Sequence, residues 1–115
     1  VGEPPINIFR LTRGGGGSWL EGERPGEGRL PLPEGWDGLA SPFVGARPEQ
    51  IEVAAGPGGL AATVEECEFL GRDAVLHCRC QGVGVRALAS AGAAFAKGEA
   101  VALRFKPGGL IPLAE

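Results

Sequence analysis

An all-β fold is what this sequence predicts, and three observations carry the prediction. The 115 residues contain 21 Gly and 10 Pro, and breakers at that frequency leave little room for long helices. Between the breaks, short runs alternate apolar and polar residues with the period of two that belongs to a strand. Only "AGAAFAKG" suits a helix, and then for two turns at most. With 43% apolar residues the chain can build a core, although five Phe and two Trp are its only aromatic side chains besides one His. As a single domain (1–115), a chain of this length removes roughly 65% of its unfolded surface from water.

Residues 6–13 read as the first strand. "GGGGSWLEG" follows as a glycine-rich turn into a short strand at Ser18–Glu21. GGGGS is also a common engineered linker, but strand-like sequence continues on both sides of it. After "GERPGEG", the run "RLPLP" (29–33) reads as an edge strand, because proline lacks the donor a ladder needs. These strands and loops make up residues 1–42. Phe43–Arg47 is then a short apolar strand that stops at Pro48, "PEQ" suits one helical turn, and Ile51–Ala54 runs to the turn "GPGG". From Leu60 the pattern is a meander of Leu60–Leu70, Asp73–Cys80, Val83–Ala89 and Ala100–Lys106. Its breaks are Gly71-Arg72, Gln81-Gly82 and the small-residue segment "SAGAAFAKGE". Alternation places Ala74, Leu76, Cys78 and Cys80 inward, with Val75, His77 and Arg79 on the other face. In the last strand Val101, Leu103 and Phe105 point in, with Ala102, Arg104 and Lys106 opposite. Seven or eight such strands must close or pack as two layers to protect their edges. A small Greek-key barrel of the OB type is the economical solution.

Composition and spacing also exclude function classes. The net charge is −3 and the basic residues are scattered from Arg10 to Lys106, with no stripe or stacking aromatics for nucleic acid. No apolar run approaches the ~20 residues of a membrane helix, and no basic-then-apolar leader pattern is visible. "RGGGGSW" lacks the Lys and Ser/Thr that a phosphate-binding loop places after its glycines. Ser18, Ser41 and Ser90 lie outside any G-x-S-x-G elbow. A Ser–His or Cys–His pair would have to use His77, on an otherwise ordinary strand. Glu65, Glu66 and Glu68 read as a solvated strand face. Cys67, Cys78 and Cys80 with His77 superficially offer four zinc ligands, but Cys78 and Cys80 share one face while His77 takes the other. Three cysteines also make a poor disulfide framework, so buried reduced thiols are the expectation. Catalytic, cofactor and metal residues are therefore expected to be none.

Three blocks carry a family resemblance. "FVGARPEQIEV" (43–53) resembles the "V-G-I-R-P-E-x-I/L-x-V" segment in the regulatory part of ABC-importer ATPase subunits. "ATVEECEFLGRDAVLHCRC" (62–80) is similar to that family's "G-x-V-x-x-V-E-x-L-G-x-x-x-x-V-x-V-x-L", with Cys67 where Val is usual. "FAKGEAVALRFKPGGLIPLA" (95–114) resembles the closing "L-R-P-G-D-x-V-x-L-x-F-D-P", with Lys106 in place of Asp. Together they resemble the TOBE domain, an OB-type barrel, with residues 43–115 as its core. "VGEPPINIF" is similar to "I-G-S-P-P-M-N-F-L", the segment that joins the nucleotide-binding domain to the regulatory domain in maltose- and glycerol-phosphate-type importers.

The resemblance implies a C-terminal fragment of a longer ATP-hydrolysing subunit. That subunit would use ATP and Mg, whereas this chain would need no cofactor. Implied partners are a second copy, the nucleotide-binding domain of the same chain, membrane subunits and, in some members, a regulatory protein, with no nucleic acid. The implied location is the inner face of the cell membrane, held there through the transporter. A small-ligand domain binding oxyanions, as in molybdate systems, is the alternative, followed by a cysteine-based metal or redox module. The family-motif positions are Gly45, Arg47, Pro48, Glu49, Glu68, Leu70 and Gly71, and physics assigns them structural roles. Pro48 holds Arg47 extended and starts a turn whose positive end suits Glu49. Gly71 supplies a hairpin residue with φ > 0.

Overall fold

The computed structural model describes residues 6–14, 17–24, 27–30, 32, 42–56, 58–90 and 95–113. These residues form β1 (Asn7–Gly14), β2 (Gly17–Leu20), β3 (Arg29–Leu30), β4 (Phe43–Ala46), β5 (Ile51–Ala55), β6 (Leu60–Leu70), β7 (Asp73–Cys80), β8 (Val83–Ser90), β9 (Ala100–Phe105) and β10 (Leu110–Pro112). A 3₁₀ turn, Pro48–Gln50, stands between β4 and β5. The fold is all-β. One five-stranded sheet runs β10-β4-β1-β2-β3 and the other β5-β9-β6-β7-β8, with antiparallel pairing throughout. The edge strands β5 and β8 of the second sheet also come together, so that sheet curls toward closure. The result is a small OB-type barrel.

One core serves both sheets. Phe9, Leu20 and Leu30 come from the first, Ile51, Leu76 and Leu103 from the second, and each is at most 2% exposed. Burial of such a side chain contributes ~1.5–3 kcal/mol, so these residues hold the sheets face to face. Phe105 is only partly buried and meets Phe9 edge-on, with ring centroids 5.8 Å apart. Val75 departs from the alternation: it is 2% exposed although it lies on the outward face of β7. Its lateral neighbours on that face are Glu68 and Leu88, whose side chains shelter a central strand from both sides. Ala102 is also buried, on a central strand with Ala54 and Ala61 as its lateral neighbours.

β6 shows how sequence pattern and backbone negotiate. Leu60, Ala62 and Val64 bury one face, and strict alternation would then send Glu66 and Glu68 into the core. A register shift between Val64 and Glu66 prevents this. The extra residue hands the inner face to Cys67, opposite Leu76, and keeps Glu66 and Glu68 exposed.

Two elements differ from the reading of the sequence. Of the edge strand expected over 29–33, Arg29–Leu30 form β3, paired with Ser18 and Trp19, Leu32 is outside the strand, and residues 31 and 33 lie outside the described residues. The closing "LIP" becomes β10, paired with β4 through Leu110–Ala46 and Ile111–Gly45. Three residues, one of them proline, carry no periodic signal, and the pairing is a product of tertiary contact. The helical reading of "AGAAFAKG" falls partly on 91–94, outside the described residues. The rest of it is a turn, in which the Gly98 N–H donates to the Val64 carbonyl and the Glu99 N–H to that of Ala96.

Candidate functional site

The seven motif residues fall in two places. Gly45 lies mid-β4, between Ile8 of β1 and Ile111 of β10. A Cβ there would stand 2.9 Å from Ile6 Cδ1 and 3.2 Å from Leu113 Cδ1, so these side chains close over bare backbone. Arg47 is extended (φ −72°, ψ 147°), as the residue before proline must be, and its carbonyl accepts from the Gln50 N–H at 2.9 Å. Pro48 is buried at the first position of the turn and Glu49 sits exposed in that turn, which packs against β8. Glu68, Leu70 and Gly71 lie instead at the β6–β7 tip. Gly71 has φ +68° in the two-residue loop, the arrangement of a II′ turn. No hydrogen bond or ion pair among the described residues joins the two groups.

Two buried amides that the pattern reading passed over do join the sheets. Asn7, 5% exposed, uses its carboxamide on Arg86 of β8 and on the Ala46 carbonyl. Gln81 is also 5% exposed and opens the β7–β8 hairpin with φ +39°, followed by Gly82 at +85°, the I′ pattern. Its Nε2 donates to the carbonyls of Glu27 (2.8 Å) and Leu20 (3.3 Å), and its Oε1 accepts from the Arg24 N–H at 2.8 Å. Its own carbonyl accepts from the Glu23 N–H at 2.9 Å. The side chain thereby fixes the segment after β2 to the opposite sheet. The available signal was a polar residue inside an apolar alternation ("INIF") and a non-glycine residue ahead of the hairpin glycine.

The cysteines are free thiols, with Cys78 and Cys80 buried and Cys67 half-buried. Burial pushes the Cys78 thiol up to about 11, with the neighbouring Cys80 and Glu65 adding to the effect. Burial also raises Cys80, against a smaller lowering by Arg24. His77 turns away from them, its Nε2 3.3 Å from Glu68 Oε1. Arg79 on the same face pairs with Glu65 at 3.2 Å. Among the described residues no group of three or more His, Cys, Asp or Glu is arranged to hold a metal ion.

A cleft of about 400 Å³ opens where the β5–β6 turn meets β9. Leu60 and Leu103 form part of its lining, with Gly58, Gly59, Phe105 and the side chains of Arg29 and Arg104. Arg104 is oriented by its Nε, which donates to the Gly58 carbonyl at 2.7 Å. Arg29 and Arg104 both line this cleft, and each makes further interactions within the chain.

Residues 44–113 match the family model described as the TOBE domain. No curated protein matches the chain significantly.

Proposed function

The chain belongs to the TOBE-domain family, and from that membership we propose that it is the regulatory and dimerisation domain of the ATP-binding subunit of a bacterial ABC importer for sugars or related solutes. TOBE domains are regulatory or oxyanion-binding domains found in ABC-transporter ATPases or related proteins. The observation that supports the finer reading is "VGEPPINIF". It resembles the joining segment of maltose- and glycerol-phosphate-type subunits and stands ahead of the matched region, as in that family.

In this reading the chain is not itself an enzyme. ATP and Mg belong to the nucleotide-binding domain of the same subunit, because no phosphate-cradling motif occurs here. The domain acts through contacts with a second copy, with that nucleotide-binding domain, with the membrane subunits and, in some systems, with an inhibitory protein. It resides on the cytoplasmic face of the membrane, held there by the transporter. The test is deletion of residues 1–115 from the full-length subunit, with transport, ATPase activity and dimerisation measured. Weakened dimerisation or lost regulation is expected. Wild-type levels of all three, with a normal response to any inhibitory partner, reject the proposal. Calorimetric titration of the isolated chain with Mg-ATP is expected to show no binding, and micromolar binding contradicts this part of the proposal.

A second reading, a small-oxyanion binder, is favoured by one observation, the placement of Arg29 and Arg104 on the cleft. Titration with molybdate and sulfate decides it. Saturable binding that Arg29→Gln abolishes supports this reading, and its absence removes it.

A further inference from the structure

β3 ends the first sheet, and between it and the first half of β6 runs a groove. Three clefts of about 400, 380 and 310 Å³ join along it. The first shares Arg29, Gly59 and Leu60 with the second, and the second shares Arg24, Ala61 and Gln81 with the third.

The main chain of β6 is open on this groove. Val64 turns both of its groups to the β9 side, donating to the Glu99 carbonyl and accepting from the Gly98 N–H. Successive residues of an antiparallel strand alternate in this respect, so Ala62 and Leu60 also face β9, while Thr63 and Ala61 face the β7 side. Thr63 meets Arg79 there, the last pair of that ladder. The next pair would set Gln81 opposite Ala61, but Gln81 opens the hairpin turn and its carbonyl accepts from the Glu23 N–H instead. Among the described residues nothing bonds the Ala61 N–H or C=O on that side, and the Ala61 side chain is exposed. An unpaired strand edge is a template for another strand.

Local charge selects that strand. Among the described residues the ionised side chains lining the groove are Arg24, Arg29, Arg79 and Arg104 against Glu23 and Glu27. Arg24 pairs with Glu27, Arg79 with Glu65 on the rim, and Arg104 donates to the Gly58 carbonyl. These contacts hold the guanidinium groups along the walls without exhausting them, because each carries five N–H donors. The lining is therefore basic, and it suits carboxylates.

We propose that this groove binds an extended acidic segment of a partner protein, which adds to β6 as a strand at Ala61 and sets its carboxylates against the arginines. The proposal names a surface and a partner chemistry, and it holds or fails independently of the transporter reading. Fluorescence anisotropy on the full chain tests it with a short labelled peptide of Val-Asp repeats. Saturable binding is expected. N-methylation of alternate peptide bonds, which removes main-chain donors and keeps the charge, should weaken it by about tenfold. Arg24→Glu should weaken it by about fivefold or more, whereas Arg72→Glu, the same charge change at the β6–β7 tip, should not. Circular dichroism checks that both variants fold. Hydrogen exchange at the Ala61 amide should slow when the peptide is added. An N-methylated peptide or an oligothymidylate that binds as tightly shows a site for any polyanion and overturns strand addition. Equal binding of a Val-Lys peptide, or equal losses in Arg24→Glu and Arg72→Glu, overturns the choice of groove. No saturable binding of the Val-Asp peptide up to millimolar concentration rejects the proposal.

Discussion

The carboxamide of Asn7 bonds both main-chain groups of Arg86: Oδ1 accepts from its N–H at 2.8 Å and Nδ2 donates to its carbonyl at 2.8 Å. A side chain here does what a neighbouring strand would do, and it links β1 to β8 across the two sheets. Asn7→Ala strips a partner from the N–H and C=O of Arg86 and the C=O of Ala46. An orphaned buried group costs ~1–3 kcal/mol, so a loss of about 2–4 kcal/mol is expected in urea denaturation. Asn7→Asp keeps the acceptor but sets a carboxylate against two carbonyls. It should be more destabilising at pH 7 than near pH 3, where the protonated acid donates again. An Asn7→Ala protein as stable as wild type would show that the amide link is idle.

Gln81 combines a left-handed backbone with three side-chain hydrogen bonds. Gln81→Gly relieves the backbone and removes the bonds, whereas Gln81→Ala removes the bonds and keeps the strain. Both should destabilise, alanine by about 1 kcal/mol more than glycine, reflecting the strain alone. Hydrogen exchange at the Arg24 amide should accelerate in both variants, and unchanged protection there would contradict the assigned bond.

Phe9 and Phe105 meet edge-on, but only Phe9 is fully buried, at 1% exposure. Phe9→Ala is expected to cost ~3–5 kcal/mol, and Phe105→Ala less, about 2–3, since part of its ring is already wet. Arg104→Ala should cost under about 1 kcal/mol, the scale of exposed polar contacts. Thermal melts of the three variants check the order Phe9, Phe105, Arg104. Equal effects would mean that the faces of β9 are misassigned.

The raised thiol of Cys78 gives a pH prediction. Its folded value of about 11 lies above the ordinary 9.0, so the folded state holds its proton after the unfolded state has lost it. The contribution to stability is fully present below pH 9 and is lost as pH rises through the folded value, between about 9 and 11. Cys78→Ala should flatten that decline in denaturation midpoints. Thiol labelling at pH 8 should proceed at half-buried Cys67 well before Cys78 or Cys80. Equal labelling rates in the folded protein would contradict their burial.

Local pattern alone determined much of this protein. Alternation marked β6 at Leu60–Leu70 and β7 at Asp73–Cys80, and placed the cysteines of β7 on the face opposite His77. Proline and glycine marked the turn at Pro48–Gln50 and the loop at Gly71, because a fixed φ and a missing Cβ are properties of single residues. The three family blocks were likewise legible as strings. Only the tertiary structure decided which strands share a sheet, that "LIP" pairs with β4, that β6 shifts register at Glu65, and that Asn7 rather than Ile8 is inside. Each of these turns on partners far apart in the chain, such as Asn7 with Arg86 and Gln81 with Leu20. A period of two shows that a strand has two faces. Which face is buried follows from the surface that another strand brings to it.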